Sequence, residues 1–149
     1  MWNSKQSIKL SKVCVLAFMV LLAVLLLGAP WLIRSFVDFS RADLVGKESY
    51  FMLTVYVGSL PAAFLLRSLL LLLNRIQKGE VFISENVTAL RYISWSCFMG
   101  GGIAVLGALY YWPWMFIAIA AAFMGLIVRV VKNVVSEAVA IKEEADYTI

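Results

Sequence analysis

The chain contains four long apolar runs, each of about the length that a membrane-spanning helix needs. They cover approximately residues 13–33, 50–73, 93–110 and 113–131 of the 149-residue sequence. An α-helix needs about 20 apolar residues to cross the hydrocarbon core of a bilayer. The composition agrees, because 63% of the residues are hydrophobic and 15% are charged, whereas soluble domains are about 45–50% apolar and about 25% charged. The sequence therefore predicts one all-α domain over residues 1–149, an integral membrane four-helix bundle.

The distribution of cations predicts how this bundle is oriented in the membrane. With four spans, both termini share one side with the polar loop 74–91. Nine Lys and Arg residues fall on that side: Lys5, Lys9, Lys12, Arg75, Lys78, Arg91, Arg129, Lys132 and Lys142. The connection 34–49 on the other side holds three cations (Arg34, Arg41, Lys47) and three acids (Asp38, Asp43, Glu48). By the positive-inside rule, we expect a multi-pass protein of the plasma (inner) membrane with the loop 74–91, the tail 132–149 and both termini in the cytoplasm.

Small residues recur at four-residue spacing in the third and fourth spans. Such spacing lets two membrane helices approach closely. The third span offers Gly100, Ala104 and Ala108, and the fourth offers Ala121 and Gly125. The pattern predicts a closely packed hairpin of these two spans, and a homodimer interface is the alternative use of the same residues.

Arg67 lies well inside the second apolar run, whereas Arg129 lies at the cytoplasmic end of the fourth run. The Arg67 side chain has two possible arrangements: it extends towards the headgroups, or it faces the bundle interior as a functional cation. No Asp or Glu lies within the runs, so no ion pair within the membrane is predicted for it.

The polar segments on the cytoplasmic side are predicted to be mostly helical. Gly79 is suited to end the second helix, and Ser84 is suited to begin a helix that continues into the third span. Beyond residue 131 the sequence stays compatible with a helix, with an apolar stripe at Val134, Val135, Ala138 and Ile141. We therefore expect the tail 132–149 to be an amphipathic helix with an acidic end.

The sequence offers no recognisable catalytic site. It has no His, no pair of carboxylates within a span, no metal-ligand cluster and no phosphate-binding glycine loop, and these are the usual components of such sites. It also lacks a basic nucleic-acid-binding motif. We therefore expect a protein that is not an enzyme, needs no cofactor or metal and does not bind nucleic acid directly.

Two sequence motifs resemble a known family. The spacing of Gly79, Phe82, Asn86 and Leu90-Arg91 after a leucine-rich span, together with the ending Asp146-Tyr147-Thr148-Ile149, resembles the DUF2975 family of small bacterial four-span membrane proteins. The resemblance implies a partner, a helix-turn-helix transcription regulator of the Cro/C1 type.

Our first functional hypothesis is a regulatory membrane protein that sequesters or releases such a regulator. Four acids of the tail would attract the basic partner: Glu137, Glu143, Glu144 and Asp146. Phe82, Asn86 and Tyr147 would give specificity, and Arg91 belongs to the same surface. The alternatives are an immunity protein against a membrane-active peptide and a small dimeric transporter, although the sequence lacks the membrane-embedded carboxylate that proton coupling needs.

Overall fold

The computed structural model describes residues 3–40 and 43–148, which form four α-helices and contain no strand. Their bounds are α1 Ser4–Phe39, α2 Glu48–Gln77, α3 Ser84–Gly107 and α4 Trp114–Tyr147. Arg41 of the predicted 34–49 connection and Ile149 of the C-terminal motif lie outside the described residues. The predicted all-α four-helix fold is confirmed.

The helices are longer than the apolar runs that predicted them. Helix α1 continues through Pro30 and through the first six residues of the predicted 34–49 connection. Helix α3 begins at Ser84 and runs without a break into the third span, and α4 continues from the fourth span to Tyr147. All four helices are long and apolar enough to cross a bilayer by length and composition, which indicates a multi-pass membrane protein.

The four helices pack in the order of the chain. Close approach occurs between α1 and α2, between α2 and α3, and between α3 and α4, and between no other pair of helices within the described residues. We call the side with the 78–83 loop and both chain ends the loop side, and the side with the 40–47 and 108–113 connections the turn side. A hydrogen bond from Lys12 Nζ to Gln77 Oε1 (3.1 Å) joins α1 and α2 on the loop side.

A proline in α1 creates a polar contact between α1 and α2. Pro30 has no N–H, so the carbonyl of Leu26, four residues earlier, lacks its helical partner. The hydroxyl of Tyr56 in α2 donates to this carbonyl at 3.0 Å. Because an unpaired carbonyl is costly in a bilayer, Tyr56 both satisfies Leu26 and holds the two helices in register.

The contact between α3 and α4 depends on small residues. A Cβ at Gly101 would lie 3.4 Å from the Ala118 carbonyl oxygen and 3.5 Å from Ala121 Cβ. The Ser94 hydroxyl donates to the Gly125 carbonyl at 2.9 Å. The two backbones therefore pass close to each other along this seam.

The predicted seam residues of α3 differ in part from the observed ones. Ala104 is buried, and Ala108 is half-buried just beyond the end of α3. Gly100 does not belong to the seam, because nothing lies within 4 Å of the position its Cβ would take. In the last third of α3 the buried residues are Gly101, Ala104 and Gly107, a spacing of three that turns Gly100 away from α4.

Each end of the bundle has its own apolar cluster. On the turn side, Phe51 contacts Tyr110 (ring centroids 4.9 Å) and Tyr111 (5.3 Å), and Phe36 of α1 contacts Tyr111 (5.7 Å). We call this group, together with Trp114, the aromatic cluster. On the loop side a second cluster joins α2 and α3, with α4 packed against it: Leu72, Ala89, Leu90, Ile93 and Val128. The helices are thus held together at both ends.

Candidate docking surface

The loop between α2 and α3 begins with a Schellman motif. Gly79 has φ +86°, a conformation that only glycine adopts at little cost. The Glu80 N–H donates to the Arg75 carbonyl and the Gly79 N–H to the Ile76 carbonyl, both at 3.0 Å. These two bonds satisfy carbonyls at the end of α2 that would otherwise lack partners. Gly79 therefore ends α2 in a defined geometry, as the sequence predicts.

Asn86 closes the same loop from within α3. Its Nδ2 donates to the carbonyls of Glu80 (2.7 Å) and Val81 (2.8 Å), and its side chain is 1% exposed. Arg75 Nη1 adds a bond to the Glu85 carbonyl at 3.2 Å. The loop is therefore tied to both of the helices that it connects.

The burial of Asn86 corrects the role predicted for it from the sequence. A partner cannot reach a side chain that is 1% exposed, so Asn86 is not part of the contact surface. The third residue of a helix is well placed to reach back over the preceding loop, and Asn86 holds this position in α3. Sequence reasoning missed this signal, and it also missed the bond between Arg75 and Glu85.

The 78–83 loop presents apolar side chains on the surface of the loop side. Phe82 is 47% exposed and Val81 is 38% exposed. Arg91, which begins the third turn of α3, is also exposed. Phe82 and Arg91 are therefore available for contact with another protein, and the fixed loop holds Phe82 in one place.

Helix α4 is longer than a membrane span needs to be. Its 34 residues correspond to about 51 Å of helix, whereas the hydrocarbon core is about 30 Å thick. Because α4 begins directly after the turn-side connection, the excess of about 20 Å lies on the loop side. This part of α4 forms the predicted tail.

The face of the tail that packs inwards is shifted by one residue from the predicted stripe. Val139 is buried and Val135 and Ala138 are half-buried, whereas Val134 and Ile141 are exposed. The stripe thus follows Val135 and Val139, four residues apart, because the packing of α4 against α3 sets its rotation.

The acids of the tail all lie on its exposed surface. The predicted attracting residues Glu137, Glu143, Glu144 and Asp146 are exposed, and Tyr147 is 89% exposed. None of the four acids forms an ion pair with another residue in the ranges 3–40 and 43–148. Their charge is therefore not neutralised by the described part of their own chain.

Arg67 lies on the outer surface of α2. Its side chain is exposed and makes no hydrogen bond or ion pair with the described residues. It does not face the bundle interior, where a functional cation would lie. Extension along the helix to the headgroup layer is the remaining arrangement for a lipid-facing arginine.

We define the docking surface as the exposed part of the 78–83 loop, Arg91 and the acidic end of α4. All three lie on the loop side of the bundle. The predicted contact residues other than Asn86 are thus exposed and lie on the loop side.

Comparison with known proteins gives a family and no closer relative. No curated protein and no solved structure matches the chain. A family profile described as "Protein of unknown function (DUF2975)" matches residues 3–149, which is essentially the whole chain. The chain therefore belongs to the DUF2975 family.

Proposed function

We propose that this chain is a regulatory protein of the bacterial plasma membrane that holds a cytoplasmic helix-turn-helix transcription regulator at the docking surface. In this proposal the loop side faces the cytoplasm, in accordance with the positive-inside rule. Sequestering the regulator on the membrane keeps it from DNA, and releasing it restores DNA binding.

The observation that carries the proposal is the exposed, unneutralised acidic end of α4. Four acids lie there without an ion pair in the described ranges of the chain. DNA-binding domains carry a basic surface, so the charges of the two proteins are complementary. Such complementarity accelerates association and selects between partners.

The position of these acids on the helix gives a second argument. The C-terminal end of a helix carries a partial negative charge, and acids near it destabilise the helix, typically by about 0.3–1 kcal/mol each. Glu143, Glu144 and Asp146 lie within the last five residues of α4. A bound cationic surface would remove this repulsion, so binding and helix stability reinforce each other.

The neighbouring loop supplies an apolar contact. Partly exposed Phe82 lies in a loop whose backbone is fixed by the Gly79 motif and by Asn86. A fixed apolar side chain loses little entropy on binding. The acids therefore attract the partner, and Phe82 helps to select it.

The experiment is co-purification of the detergent-solubilised full chain with a Cro/C1-type regulator encoded beside it. Deletion of residues 136–149 should abolish capture. A triple variant, E143Q/E144Q/D146N, should weaken binding about tenfold, because each exposed ion pair contributes about 0.2–1 kcal/mol. Raising the salt concentration should weaken wild-type binding as well.

A matched control removes the same number of acids from the turn side. The variant D38N/D43N/E48Q changes the net charge equally but lies across the membrane from the docking surface. It should bind the regulator like the wild type. Failure of the intact protein to capture the regulator, or equal loss in both triple variants, contradicts the proposal.

A further inference from the structure

A cavity lies in the centre of the bundle between its two end clusters. Its volume is about 560 Å³, within the range of about 300–1,000 Å³ that is usual for small-molecule sites. Residues of all four helices line it, including Leu22 of α1, Gly58 of α2, Gly100 of α3 and Ala120 of α4. The aromatic cluster closes the turn-side end through Trp114, and Leu65 belongs to both the cavity wall and the loop-side cluster.

We infer that the cavity opens sideways between α1 and α4, because both helices line it and they do not approach each other closely within the described residues. The other three helix pairs around it, α1 with α2, α2 with α3 and α3 with α4, are in close contact. Helices α1 and α4 do not approach each other closely within the described residues. On the turn side, Phe36 of α1 instead packs against Tyr111 of the connection that precedes α4. The opening therefore faces the hydrocarbon layer at the depth of the membrane spans.

The cavity wall leaves no hydroxyl free for a polar ligand. Thr54 Oγ1 donates to the Tyr50 carbonyl (2.9 Å), Ser96 Oγ to the Tyr92 carbonyl (2.8 Å), and Ser59 Oγ to the Tyr56 carbonyl. The Trp114 Nε1 atom has no hydrogen-bond partner among the described residues, but it is buried and does not reach the cavity surface. A hydrogen-bond acceptor of a ligand would lose its hydration here without finding a free hydroxyl donor.

We propose that this cavity is a lipid site that takes up one acyl chain of a bilayer phospholipid through the gap between α1 and α4. Acyl chains are the surrounding solvent at this depth, and an apolar wall with internally satisfied hydroxyls suits a hydrocarbon chain. A second, smaller cavity of about 310 Å³ shares Leu22, Leu25, Ala62 and Leu65 with the first. The second cavity extends the apolar path along α1 to Phe18, in the direction of the loop side.

A helix from a second copy of the chain is the alternative occupant of this space. Bromine quenching distinguishes the two, because only a lipid chain carries the quencher. A flexible acyl chain is the occupant that matches the apolar wall and the surrounding hydrocarbon.

The test uses Trp114 as a reporter in phosphatidylcholine vesicles whose acyl chains carry bromine, a short-range quencher of tryptophan fluorescence. The other four tryptophans are replaced by Phe, so that only Trp114 emits. In this background G100L adds a side chain inside the cavity. Its matched control, G102L, adds the same side chain two residues further along α3. Gly102 is exposed, and nothing lies within 4 Å of the position its Cβ would take.

Quenching of Trp114 should be strong in the parent protein. It should fall at least twofold, roughly, in G100L, because the leucine side chain occupies the place of the acyl chain. It should stay unchanged in G102L. A second variant, A120L, narrows the opening from α4 and should also reduce quenching; it serves if G100L loses its helical circular dichroism. Absence of quenching in the parent chain shows that bilayer chains do not occupy the cavity and overturns the proposal. Equal quenching in G100L, A120L and G102L overturns it too.

Discussion

Substituting Gly125 by Ala tests whether the close approach of α3 and α4 holds the bundle together. A Cβ at this position would lie 3.0, 3.1 and 3.2 Å from three atoms of the Phe98 ring, whereas carbon atoms in contact prefer about 3.5–4.0 Å. Phe98 is also packed edge-on against Trp95, with ring centroids 6.3 Å apart. The ring must therefore turn, or the two helices must separate.

The expected cost follows from these contacts. Overpacking by one methyl group in a packed interior costs typically about 1–3 kcal/mol. Separation of the helices would also stretch the bond from Ser94 to the Gly125 carbonyl (2.9 Å), and such bonds in membranes contribute about 0.6 kcal/mol on average. Ala is a better helix former than Gly by about 1 kcal/mol, which partly offsets the loss.

The control variant G102A removes this offset from the comparison. Gly102 lies in the adjacent helix, is exposed and has nothing within 4 Å of its Cβ position. It therefore gains helix propensity without a clash. The difference between the free energies of unfolding of G102A and G125A, measured by SDS titration in mixed micelles with circular dichroism, should be about 1–3 kcal/mol.

A second-site change distinguishes the clash from other effects of the alanine. F98L removes the ring that the new Cβ meets, so it should restore stability in the G125A background, although it loses packing in the wild-type background. The resulting interaction energy in a double-mutant cycle should be favourable by about 1 kcal/mol or more. If G125A is as stable as G102A, or if F98L adds the same loss in both backgrounds, the reasoning about the seam is refuted.

Three further predictions use the same unfolding measurement. Y56F leaves the Leu26 carbonyl without a partner and should lower the free energy of unfolding by about 0.6–1.7 kcal/mol. The control Y92F should cost less than Y56F, because Tyr92 is exposed and its hydroxyl makes no hydrogen bond with the described residues. N86A leaves two loop carbonyls unpaired and should cost about 1–3 kcal/mol, with faster amide exchange in the 78–83 loop; N86D should not restore it, because a carboxylate cannot donate. G79A places a Cβ on a residue with φ +86° and should cost about 1–2 kcal/mol; unchanged stability would contradict the Schellman assignment.

Sequence reasoning identified the four helices because a bilayer requires each span to satisfy its own backbone hydrogen bonds. Length and hydrophobicity then suffice to locate a span, with no knowledge of its neighbours. The end of α2 at Gly79 was predictable for a similar reason, since the left-handed backbone conformation belongs to one residue type. The exposure of the acids in the tail was also predictable from local pattern, because a charged side chain is costly to bury and a run of acids therefore stays at the surface.

The rotation of each helix about its own axis was decided only by tertiary packing. Three consecutive glycines, Gly100 to Gly102, offer small surfaces on several faces of α3, and contact with α4 selects Gly101 while leaving Gly100 towards the cavity. The inward position of Asn86 and the outward position of Arg67 depend on the same rotations. A hydropathy profile depends only on the order of residues along the chain. The orientation of a helical side chain depends instead on which neighbouring helix packs beside it.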